Sequence, residues 1–174
     1  MALATASAIR DRGRVILAAI DPVSLLGDRF RDFRNEGTAD FREWAEANAP
    51  GAFRRYQIRD VGTDEMPLVS NTVHELHRMT LEVVVAYPQS HRYGDDNAMD
   101  RDRVIDEDWD YICFNLGHTG RVHFFSGHDC TPLGFTSKTV ERGDVCDFLV
   151  AEFEYEYQRA LAVGGLASGV GGPP

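Results

Sequence analysis

The stretch from Thr72 to Pro88 (TVHELHRMTLEVVVAYP) limits more than any other what this chain can fold into. Met79, Leu81, Val83, Val85 and Tyr87 are apolar at alternate positions, and Arg78, Thr80 and Glu82 fall between them, which is the period of a strand with one buried face. At roughly 3.3 Å per residue the segment reaches about 50 Å, well beyond an ordinary strand. The spacing therefore predicts a long strand whose N-terminal part, where His74, Glu75 and His77 dilute the apolar pattern, projects from the body. A projecting strand offers backbone groups that another chain can pair with, so the sequence reads first as an assembly subunit and not as an enzyme.

With 174 residues the chain is long enough to bury a core without metal or disulfide staples. Residues 1–161 are expected to form a single domain. Residues 162–174 (AVGGLASGVGGPP) have the composition of a flexible glycine-rich tail. Cys113, Cys130 and Cys146 are odd in number and lack a CxxC pair, which suits reduced thiols and assembly in a cytoplasm. Arg10, Arg12 and Arg14 interrupt the first twenty residues where a signal peptide would be apolar, and no stretch approaches the length of a membrane span.

The formal net charge of -10 disfavours general binding to a phosphate backbone, which draws its energy from many cations releasing counterions. Its distribution is uneven. Most of the arginines lie between Arg10 and Arg59, whereas Asp95 to Asp110 is densely acidic, so one end of the molecule is expected to face the opposite end of a neighbour in a ring.

Periodicity and punctuation predict the remaining elements. A helix over Leu3–Ile20 ends at Asp21-Pro22, and Asp40 with Glu43 matches a capping box for a short helix ending near Asn48. Phe53–Val61 reads as the first good strand. Ala98–Leu116 is the strongest helix, with Ile105, Trp109, Ile112 and Leu116 on one stripe. Strands over Leu133–Thr139 and Val145–Tyr157 follow, joined by Glu141-Arg142-Gly143-Asp144, where Gly-Asp is expected to supply a positive backbone angle. On the last strand Glu152, Glu154 and Glu156 alternate with an aromatic face. The order predicts an α+β fold: a mostly antiparallel sheet with helices packed on one face and a long projecting strand or hairpin.

Three groups of residues bear on chemistry. His118, His123, His128, Asp129 and Cys130 share one loop and are all types that ligate zinc. Their spacing of five matches neither structural zinc pairs nor HExxH, so surface hydrogen-bonding histidines are the competing reading, and a small metal-dependent hydrolase is the enzymatic alternative. Asp102, Asp106 and Asp110 lie along a helix face, open to solvent, to a subunit or, less readily, to a hard cation. Arg54, Arg55 and Arg59, interleaved with Tyr56, suit nucleic acid or an acidic neighbour, and the acidic segment of the same chain favours the neighbour. His74 and His77, at an odd offset on a strand, do not form a ligand pair. No phosphate-binding glycine loop or nucleophile elbow is present, and no cofactor is implied.

The order of elements, together with Leu81-Glu82-Val83-Val84-Val85-Ala86-Tyr87-Pro88, the helix bearing Trp109 and Phe148-Leu149-Val150-Ala151-Glu152-Phe153-Glu154-Tyr155, resembles the tail terminator proteins of long-tailed bacteriophages of the lambda type. The likeness covers most of Met1 to Tyr157 and departs from the family at an insertion over Gly27–Pro50 and at the C-terminal tail. The resemblance implies a non-catalytic virion protein of the tail and neck, assembled in the host cytoplasm as a hexameric ring. Its implied partners are copies of itself, the tail tube protein and a head-completion protein, with DNA passing through the channel without specific binding and no membrane involved. Another neck protein, a head-completion or stopper subunit, is the nearest alternative. On this reading Arg54, Arg55 and Arg59 meet acidic groups of a neighbour, His74, His77 and Arg78 belong to an extension, and Asp102, Asp106 and Asp110 face a subunit or the channel.

Overall fold

A computed structural model describes residues 5–22, 28–34, 40–63, 69–70, 74–117 and 130–160. The histidines at 118, 123 and 128 and the tail at 162–174 lie outside the described residues. In chain order the elements are α1 (Ala6–Ala19), β1 (Arg31–Asp32), α2 (Phe41–Ala47), β2 (Arg55–Thr63), β3 (Val69–Ser70), β4 (His74–Pro88) and α3 (Asn97–Ile112). A π-helical turn over Cys113–Gly117, β5 (Cys130–Glu141) and β6 (Cys146–Ala160) complete the fold. It is α+β, with one mixed and mostly antiparallel sheet in the order β1-β2-β4-β6-β5 and β3 pairing β4.

Side-chain oxygens start all three helices. Thr5 accepts from the Ala8 amide, Asp40 from those of Arg42 and Glu43, and Asp96 from that of Met99. α1 buries Ile9, Gly13 and Leu17 at a spacing of four. A Cβ at Gly13 would stand 3.4 Å from Ile58 Cδ1, so the small residue brings the helix close to the sheet. α3 buries Val104, Ile105 and Ile112 on the same face as α1, and Leu116 follows from the π-helical turn.

The strand alternation divides the core in two. Tyr56, Ile58, Met79, Leu81, Val83, Val85, Tyr87, Leu149, Phe153 and Tyr155 point to α1 and α3 and form the larger cluster. Val84, Ala86, Phe148 and Val150 point the other way, under Phe41 and Ala45 of α2. The helices therefore do not all share one face: α2 lies opposite α1 and α3, because the next residues along each central strand are also apolar and need cover.

β4 is not a projecting edge. It pairs antiparallel with β6 over its whole length, from His74 with Ala160 to Pro88 with Cys146, and on its other side with β2 and β3. A run apolar on both faces, Val83 to Tyr87, belongs at the centre of a sheet. The turn after β5 differs from expectation as well. Among the described residues the glycine with positive φ is Gly134 (128°), at a bulge, whereas Gly143 is required by close approach: a Cβ there would meet Cys146 O at 2.4 Å.

Candidate assembly surface

Arg54 is fully buried. Its Nε and Nη2 donate to both oxygens of Asp108 at 2.8 Å, Nη1 donates to the Asp28 carbonyl, and Tyr87 Oη donates to Asp108 Oδ2 at 3.0 Å. The guanidinium also lies over the rings of Phe30 and Phe53. Burial raises the Asp108 carboxyl above its ordinary value while Arg54 and Tyr87 draw it back down. Arg54 holds φ at 52°, a conformation rare outside glycine that this bidentate anchorage maintains. The residue pins α3 to the sheet and does not reach the surface. Arg55 lies over Trp44 of α2, and Arg59 binds Glu82 of the neighbouring strand.

The expected extension is also inside the fold. His77 is buried, stacked on Tyr157 at 5.6 Å and 3.1 Å from Glu75, on the α1/α3 face. His74 takes part in the backbone pairing with Ala160. Arg78 is exposed on the opposite face, 3.9 Å from Glu156.

The charges of α3 are partly met within the chain. Asp102 accepts from Arg142 at 2.7 Å, Asp106 from Lys138 at 3.1 Å, and Arg103 pairs with Glu107. Asp110 is exposed and has no ion pair with a described residue. Arginines of the N-terminal part likewise have local partners: Arg14 with Asp11 and Asp32, Arg29 with Asp21, Arg31 with Asp28. The expected separation of an arginine-rich end from an acidic end is therefore much reduced in the folded chain.

A different acidic surface emerges from β6. Because Phe153, Tyr155 and Tyr157 face the larger core, Glu152, Glu154 and Glu156 face the other way, beyond the cover of α2. Glu82 stands directly opposite Glu152 across the β4–β6 ladder, and Thr80 and Arg78 stand opposite Glu154 and Glu156. Ser137 Oγ donates to Glu152 at 3.0 Å. Four carboxylates thus share this part of the sheet with two guanidiniums, Arg59 and Arg78. The alternation of Glu152, Glu154 and Glu156 was readable from sequence; the missing fact was that α2 covers only the Phe148 end of their face.

Cys130 is the one member of the histidine-rich loop pattern among the described residues. Burial pushes its thiol up to about 12, which opposes the thiolate a metal needs. Among the described residues no group of His, Cys, Asp and Glu is arranged to hold a metal ion. Nor is any helix among them long and apolar enough to cross a membrane. Among the described residues an open cleft of ≈ 600 Å³ beside α1 is lined by Asp11, Arg14, Asp32, Arg34 and Tyr56, and another of ≈ 430 Å³ lies between Ile16, Ile20, Tyr111 and Phe114.

No protein-family model and no curated protein matches the chain. One similar solved structure has 15% sequence identity, covers 68% of this chain and 88% of its own, and gives a TM-score of 0.30, at which the likeness carries no argument.

Proposed function

We propose that this chain is a structural virion protein, a tail terminator that caps the tail tube of a long-tailed phage as a hexameric ring and joins it to the neck. The observation that carries this reading is the acidic part of the sheet face beyond α2, where Glu152, Glu154 and Glu156 are half-exposed and Glu82, buried and paired with Arg59, stands behind them. Copies arranged around an axis along the strands, with that face inward, line a channel with carboxylates. Such a wall repels phosphates, so DNA slides through without being held. A ring closed by heterologous contacts has two different rims, one for the tail tube protein and one for a head-completion protein. The role is non-catalytic and requires no cofactor.

Light scattering on the purified protein is expected to give a mass of several chains, with closed rings in negative-stain images. Electron images of assembled particles should place the ring at the head-proximal end of the tube. A monomer at every concentration rejects the proposal. A ring seated on the portal instead reassigns the chain to the head-completion or stopper subunits.

A further inference from the structure

Two edges of the sheet lack a partner strand among the described residues, and they lie at its opposite ends. β5 is paired only on its β6 side. Among the described residues β2 meets β1 at Arg55 and Tyr56, and its outer edge from Gln57 to Thr63 has no partner strand. Between them the strands alternate in direction: β2 with β4, β4 with β6 and β6 with β5 are all antiparallel.

That alternation has a parity. Four long strands is an even number, so β2 and β5 run in opposite directions. Rotating a copy about an axis along the strands preserves each strand's direction, and β5 of one copy then meets β2 of the next antiparallel, as every long neighbour inside the chain already does. An odd number of strands would force a parallel junction. We propose that β5 of one copy pairs with the Gln57–Thr63 edge of β2 in the next copy, so that one sheet continues around a closed ring. This rests on the ring reading above and specifies how the ring closes.

The side chains agree with the backbone. Among the described side chains of the sheet, the large apolar ones left exposed sit on these two strands: Val61 (44% exposed) on β2, and Leu133 (36%) and Phe135 (53%) on β5. The registers also place them at one height. Asp60 pairs with Leu81, Leu81 with Phe153 and Phe153 with Phe135; Gly62 pairs with Thr80, Thr80 with Glu154 and Glu154 with Gly134. Val61, in the bulge between Asp60 and Gly62, is thus level with Phe135 and Gly134 at the far edge. Among the described residues β1 ends at a level below these residues, at the row of Tyr56, Val85, Leu149 and Val140, where the Phe33 amide donates to Tyr56 O.

The test is a Val61→Cys/Phe135→Cys double variant of the full chain, oxidised and run without reductant, with the parent protein and its native cysteines setting the background. The expected result is a ladder of covalent species ending at the size of the ring, absent from either single variant. A second variant, Phe135→Lys, is expected to lower the light-scattering mass from several chains to one while keeping its far-ultraviolet dichroism. Met99→Lys, at a more exposed apolar residue (68%) at the start of α3, should leave the mass unchanged. A ring that persists in Phe135→Lys, or forms without the ladder, overturns the edge pairing and leaves the ring reading standing. Covalent dimers from Phe135→Cys alone indicate a twofold β5–β5 contact and overturn it too. A parent protein that is monomeric removes both proposals together.

Discussion

The two faces of the central sheet are built from adjacent residues of the same strands, yet they do different things. On one face Leu81, Val83, Val85, Phe153 and Tyr155 are buried under α1 and α3, with the Arg54–Asp108 pair sealed at its margin. On the other, Val84, Ala86 and Phe148 find cover from α2 at one end, and carboxylates take over where α2 stops. The first face is closed within the protomer over β4 and β6, and only at its β5 margin is Phe135, edge-on to Trp109, left half exposed among the described residues. The second sets Glu152 opposite the buried Glu82 and leaves Glu152, Glu154 and Glu156 half exposed, an opposition of like charges that Arg59 and Arg78 offset only in part.

The contrast is broken most severely at the margin of the packed face. Asp108→Ala leaves the Arg54 guanidinium buried without its carboxylate and is expected to remove about 3–5 kcal/mol in urea denaturation. Combining it with Arg54→Met should restore much of the loss; if the single variant is nearly neutral, the buried pair does not hold α3 to the sheet. Next in size, Tyr155→Phe removes the hydroxyl that donates to Leu116 O at 2.8 Å, leaves that carbonyl buried and unsatisfied, and should lower stability by about 1–3 kcal/mol.

On the open face the sign reverses. Glu152→Gln keeps an acceptor for Ser137 and ends the like-charge opposition with Glu82, so stability should rise by about 0.2–1 kcal/mol. A loss there would mean that the carboxylate is needed for the fold, and the contrast between faces would fail.

The smallest effect concerns His91, stacked on Phe53 at 3.9 Å. Burial lowers its pKa from 6.5, with Arg54 acting in the same direction and Asp28 opposing. The unfolded chain therefore takes up the proton first, and this contribution to stability is lost as pH falls from 6.5 through the folded value. His91→Phe keeps the stack and removes the titration. Its melting temperature should fall less than that of the parent between about pH 7.5 and about pH 5.5.

Much of the fold was legible because its signals are local. Asp40 and Glu43 marked α2, and Ile105 with Ile112 marked the buried stripe of α3. The place of β4 was misread: its alternation suggested one buried face and a projecting end, whereas Val84 and Ala86, apolar between Val83, Val85 and Tyr87, belong to a strand covered on both sides. The site was harder. Arg54, Arg55 and Arg59 look alike in sequence, but only Arg54 meets a carboxylate fifty-four residues further on, and no local pattern announces such a partner. Glu152, Glu154 and Glu156 announced their shared face, but whether a helix covers it depends on how far α2 extends.

The pairing of β4 with β6 has a consequence for the life of the chain before it is finished. His74 must wait for Ala160, and Tyr87 for Asp147, so during synthesis the greasiest strand of the protein emerges long before its mate. Contacts so far apart in sequence form slowly and leave adhesive backbone uncovered meanwhile. A ribosome stalled anywhere between the two strands would carry a nascent chain with its central seam unclosed, a natural client for a chaperone.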